Sequence, residues 1–146
     1  QVLSAVSQLS PEKQSLIFTE THPICEWTRM VMINSDFDIG YMVDRETLHR
    51  GIIHSGYYSS YEPVIYPGVN IKYYYNPEKQ VKGICNCEYP CDGKGKNGCC
   101  KKITIAVFKS GKIIITGGNS MTHIRTAYTF ISDYLKINQS LIQMTT

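Results

Sequence analysis

At 146 residues, with 42% hydrophobic against 18% charged residues, the chain suits one domain with a real core, and its composition argues against disorder as a whole-chain answer. Fifteen Lys and Arg against 12 Asp and Glu leave a formal charge of +3, a mildly basic balance that assists polyanion binding without requiring it. No apolar run approaches the roughly 18–20 residues that a bilayer-spanning helix needs, and no membrane role is expected.

In chain order, Val2, Leu3, Val6 and Leu9 have the spacing of the tail of an amphipathic helix, and Gln1 is not an initiator methionine, so the expectation is a piece of a longer protein. Residues 10–29 read as a linker with a short strand or turn over Ser15–Glu20. From Arg29 to Val43 the pattern is extended, with Phe37, Ile39, Tyr41 and Val43 on one side. Asp44 sits where a helix cap is wanted, Leu48, Ile52 and Ile53 supply an apolar face, and Gly56 ends the helix. Two or three strands follow between Tyr57 and Asn76, broken by the Pro67-Gly68 turn. Residues 77–100 exchange aromatic and β-branched residues for glycine, lysine and cysteine, as an excursion between adjacent strands would.

The segment Lys101–Ser120 then reads as a hairpin turning at Ser110-Gly111. Alternation puts Ile103, Ile105 and Val107 on one side and Thr104, Ala106 and Phe108 on the other; Ile113 and Ile115 oppose Ile114 and Thr116 in the same way. After Gly117-Gly118, Asn119 or Ser120 caps a helix whose stripe is Met121, Ile124, Ala127, Tyr128, Ile131, Tyr134 and Leu135. That helix is expected across the bulky face. The other face, of small groups and one aromatic, is expected to meet a flat apolar partner.

Five of the six cysteines fall between Cys85 and Cys100 as C-x-C-x3-C-x7-C-C, namely Cys85, Cys87, Cys91, Cys99 and Cys100. With no secretory signal in view the default expectation is a reducing compartment, where a dense cluster is more often a metal site than a disulfide framework. Four of the five thiolates suffice to enclose zinc, and zinc, disulfides formed on handling and free thiols remain open readings. No C-x-x-C precedes a helix, which disfavours a redox enzyme, and His22, His49, His54 and His123 form no ligand spacing.

Three motifs carry a resemblance: Y-E-P at Tyr61–Pro63, Y-P-G at Tyr66–Gly68, and F-x-S-G-K-I-I-I-T-G from Phe108 to Gly117 with a helix after it. From about Met30 to Lys136, gapped by the cysteine-rich insert, the chain resembles the second repeat of the TATA-box-binding protein family. With that insert it looks like the versions carried by large cytoplasmic DNA viruses. The resemblance implies an α+β half-saddle, a curved antiparallel sheet of about five strands with two helices on the convex face. It divides the chain into residues 1–28 as the tail of a preceding repeat and a linker, 29–140 as one repeat with the insert at 77–100, and 141–146 as a C-terminal tail.

Carried over by position, Tyr66 and Phe108 correspond to the family's aromatic wedges between base steps, and Thr116 to a threonine at the floor of the minor groove. Thr104, Ala106 and Ile114 correspond to the surrounding floor, and Lys72, Lys102 and Lys112 to phosphate contacts. For the family's asparagine, an ungapped alignment puts Met32 in place, while Asn34 lies two residues on and is the candidate. Glu62, Val64 and Ile65 correspond to the stirrup that meets a transcription factor B-like protein. The resemblance therefore implies a non-enzymatic factor that binds A·T-rich promoter double-stranded DNA, or assembles an initiation complex with such a protein and a viral RNA polymerase. The competing class is an interaction module of the same machinery with DNA binding weak or lost. Host cytoplasm or the virion is the implied location, and the isolated half is expected to pair with itself as a homodimer.

Overall fold

A computed structural model describes residues 31–145. Their elements are β1 (Ile33–Asp38), α1 (Arg45–His54), β2 (Tyr58–Ser60), β3 (Val69–Tyr75), β4 (Lys101–Val107), β5 (Lys112–Gly118), α2 (Met121–Ile137) and α3 (Gln139–Ile142). The strands form one antiparallel, curved open sheet in the order β1-β5-β4-β3-β2, the α+β half-saddle expected. The anticipated helix over residues 2–9, the linker at 10–29 and Cys25 lie outside the described residues.

Period-two alternation builds the core. Val69, Ile71 and Tyr73 of β3, Ile103, Ile105 and Val107 of β4, and Ile113 and Ile115 of β5 all turn to one side and are buried there. Helix α2 covers them with Ile124, Ala127, Ile131 and Leu135, spaced at three and four residues. Helix α1 adds Leu48 and Ile52 over the β2–β3 edge. Each such side chain contributes about 1.5–3 kcal/mol on leaving water.

The helix starts match their expected caps. Ser120 Oγ accepts from His123 N–H at 3.3 Å, and Asp44 Oδ1 accepts from Thr47 N–H at 3.1 Å. Hydrogen bonds from the Thr47 hydroxyl and backbone hold the Asp44 carboxyl below the ordinary aspartate range. Its stabilisation is therefore full above that ordinary value and is lost as pH falls through the depressed one. Asp44→Ala is expected to cost about 1 kcal/mol at neutral pH in denaturant titrations, with the deficit narrowing in acid.

Some expected faces differ. Ile53 is half exposed, because one residue on from Ile52 it stands about 100° round the helix. Met121 opens α2 beyond the sheet and is likewise exposed, while Tyr128 packs edge-on against Phe37 of β1 with centroids 4.8 Å apart. The expected tail from residue 141 is docked: Ile142 is buried, its carbonyl accepts from Asp44 N–H at 2.7 Å, and Met144 N–H donates to Met42 O at 2.8 Å. The extended stretch ends as a strand at Asp38, and residues 39–43 become a strap along the β4–β5 turn, Ile39 N–H donating to Gly111 O and Val43 N–H to Lys109 O. Gly111 has φ +93°, and a Cβ there would run into the Tyr41 carbonyl, so only glycine fits under the strap.

Candidate functional site

Both α1 and α2 lie on the same side of the sheet, which leaves its concave side open among the described residues. The register arranges that open face in rows. At one end Asp38 and Lys112 pair across β1 and β5, with Phe108 beside them where its N–H donates to Lys112 O at 2.9 Å. The next row runs Asp36, Ile114, Ala106, Asn70 and Ser60 across all five strands. The third runs Thr116, Thr104, Lys72 and Tyr58, and exposed Asn34 ends it at the β1 bulge. Lys102 and Tyr74 begin the fourth.

The predicted wedge residues come together. Tyr66 and Phe108 have ring centroids 5.7 Å apart, tilted by 59°. They close over Gly68, where a Cβ would stand 2.8 Å from Tyr66 Cε1 and 3.2 Å from Phe108 Cε1. Any side chain at position 68 would push the rings apart. Thr104 and Thr116 are directly opposed, and Lys72 Nζ donates to Thr104 Oγ1 at 2.8 Å. Burial, and then the neighbouring Lys102 charge, lower the Lys72 pKa.

The face is more polar than the expected flat apolar surface. Its apolar centre is Ala106, Ile114 and the two rings, and polar groups surround it. Sequence reading missed Asp36, Asn70 and Tyr74. The signal lies in the alternation of β1 and β3, whose polar side carries these three residues. Lys112 Nζ pairs with Asp36 Oδ2 at 2.8 Å, which raises the lysine pKa.

Glu62, Val64 and Ile65 stand apart from these rows, in the turn before Tyr66. Val64 is 98% and Ile65 83% exposed, so neither contributes to the fold by burial. Behind them Arg45 stacks on the Tyr61 ring at 5.3 Å and donates to Pro67 O, holding the turn to α1.

The insert wraps the far end of the β3–β4 pair. Tyr74 N–H donates to Gly83 O at 3.0 Å, and Lys102 N–H to Gly93 O at 2.8 Å. Between these anchors the sulfurs of Cys85, Cys87, Cys91 and Cys100 all lie within 4.8 Å of one another. Cys87 and Cys100 are 3.7 Å apart, well beyond a bond of about 2.05 Å and close to the edge of about 3.8 Å that a tetrahedron with 2.3 Å metal–sulfur bonds requires. Asn76 Nδ2 approaches Cys100 Sγ at 3.9 Å and donates to Gly98 O at 2.9 Å. Burial pushes the Cys100 thiol up to about 12, while hydrogen bonding from Cys100 lowers the pKa of Cys87. Four sulfurs so grouped, one of them buried, are compatible with the four-thiolate donor set that a structural zinc ion takes. Cys99 is outside it and lines a separate cavity with Tyr75, Lys101 and His123.

Residues 31–137 match the family described as Transcription factor TFIID (or TATA-binding protein, TBP). A "TATA-box-binding protein-like" protein of Acanthamoeba polyphaga mimivirus is 34% identical over 129 residues, an alignment covering 77% of this chain and 30% of that protein. The chain thus spans about a third of the length of this curated relative. The five-stranded antiparallel sheet with its helices on one side agrees with this match, and the chain belongs to the TATA-binding protein family.

Proposed function

We propose that this chain acts in transcription initiation by laying its open face in the minor groove of promoter DNA. The observation that carries the reading is the ring pair of Tyr66 and Phe108 standing at the edge of a face that no described helix covers. Rings so placed enter a base step and unstack it, at a cost of a few kcal/mol recovered as the bent duplex spreads along the sheet. Behind them, Ala106 and Ile114 exclude water from the groove, the Thr104 and Thr116 hydroxyls and Asn34 donate to base-edge acceptors, and Lys72 and Lys102 meet phosphates. Steps that kink at low cost, such as TA, are then selected by deformability.

The test is a titration of A·T-rich and G·C-rich duplexes across salt. A steep salt slope and a preference for the A·T-rich site are expected, with Phe108→Ala weakening binding at least tenfold. Equal binding by this variant and the parent overturns the reading.

A second reading has its own observation. The almost wholly exposed Val64 and Ile65, beside Glu62, form a small apolar knob suited to a protein of the transcription factor B type, with a viral RNA polymerase recruited through it. Loss of that protein contact in Val64→Asp, with duplex affinity intact, would assign the two tasks to separate surfaces. The four cysteines hold zinc in this proposal, as a fastening of the insert rather than a reaction centre. Work in the host cytoplasm, where such viruses transcribe, completes the reading.

A further inference from the structure

The open face departs from a purely A·T-reading surface at β1. Alternation turns Phe37 into the core and leaves Asp36 and Asp38 on the open side, and the register places Asp36 on the edge strand, at the end of the row that holds Ile114 and Ala106 and next to the apolar centre of the face. The two carboxylates are not equivalent. Asp38 Oδ1 accepts from Gly40 N–H at 2.7 Å and serves the turn after β1. Asp36 uses Oδ2 for Lys112, which neutralises it, and its Oδ1 has no hydrogen-bond partner among the described residues.

A carboxylate oxygen only accepts hydrogen bonds. In the minor groove an A·T pair of either orientation offers acceptors alone, and the guanine N2 amino group is the one donor. Over A·T pairs Asp36 would face lone pairs with lone pairs; over guanine it would gain a charge-assisted hydrogen bond. We infer that Asp36 reads the exocyclic amino group of a guanine, so that the duplex this face prefers carries a G·C pair beneath β1 within its A·T-rich site. The inference rests on the minor-groove reading above. Lys112 has a double part, since it screens Asp36 from the phosphates while leaving Oδ1 available. Asn70, in the same row, carries donors as well as an acceptor and so does not discriminate by itself.

Inosine separates this contact from every other effect of a G·C pair, because an I·C pair lacks the 2-amino group and presents the minor-groove edge of A·T. The full chain is titrated at fixed salt against an A·T-rich duplex in which each pair in turn is replaced by G·C or by I·C. At one position G·C should bind about five- to tenfold tighter than A·T, and I·C should lose that gain. Asp36→Ala should erase the difference at that position, whereas Asp38→Ala should leave it in place. The side chain of Asp36 is 58% exposed, so the variant is expected to keep its fold, which an unchanged melting curve verifies. Equal affinity for G·C and I·C at every position overturns the inference, as does a guanine preference that survives Asp36→Ala. If no duplex binds at any salt concentration, the minor-groove reading itself falls and takes this inference with it.

Discussion

Cys100→Ser is expected to abolish metal retention and to lower the melting temperature of the metal-loaded chain by about 10 °C. Cys100 is wholly buried, and its sulfur lies 3.7 Å from that of Cys87 in a group of four that closes around one point. Without an ion these sulfurs only crowd one another. Zinc would draw the four sulfurs to the roughly 3.8 Å edges of a tetrahedron, and its binding free energy would become folding free energy for a glycine-rich segment with few apolar groups of its own. Cys99→Ser is the informative control, since that thiol lines the cavity on the other side and should leave one zinc per chain. Elemental analysis of protein purified under reducing conditions, with a thermal melt before and after chelation, checks both variants. Unchanged metal content in Cys100→Ser, or loss of it in Cys99→Ser, contradicts the assignment.

The second large effect is on the core. Ile105→Ala is expected to destabilise the chain by about 2–5 kcal/mol, a large part of the 5–15 kcal/mol typical of a domain. Ile105 lies on β4 between Ile71 and Ile115, its cross-strand neighbours, and all three are fully buried beneath α2. Rigid strands on either side give the vacated space little chance to collapse. Thr104→Ala, one residue away, should cost less than about 1 kcal/mol, because it removes only the hydrogen bond from Lys72 on the open side. Denaturant titrations of the pair read the sidedness of β4 directly. Comparable losses would mean that the two faces are not distinguished as described.

The sidedness of β4 and β5 was legible because Ile, Thr, Ile, Ala and Val alternate without interruption, and the caps at Asp44 and Ser120 followed from short polar side chains just ahead of an apolar period. The open side of β1 was not. Phe37, Ile39, Tyr41 and Val43 show an apolar stripe that dominates the pattern, while the same alternation places Asp36 and Asp38 opposite it without an apolar signal of their own. On β3 three successive tyrosines hide the period: Tyr73 enters the core, Tyr74 turns to the open face and Tyr75 packs on His123, so Asn70 carried no visible side until the register was known. The choice among five cysteines had a readable clue. Carrying the alternation of β4 back by one residue puts Cys100 with Lys102 and Thr104, and Cys99 with Lys101 on the helix side, as the cavity lining agrees. That Cys85, Cys87 and Cys91 join Cys100 depends on the anchoring of Gly83 and Gly93, which no spacing rule supplies.

The strap of residues 39–43 fastens the turn that carries Phe108, and Gly68 lets Tyr66 close on it, so both rings are in place before any duplex arrives. For a duplex read through this face, little ordering entropy remains for the protein to surrender on association. Under the proposed minor-groove reading the slow coordinate would be the opening and bending of the nucleic acid, and association rates would follow the stiffness of the duplex rather than any rearrangement of the polypeptide.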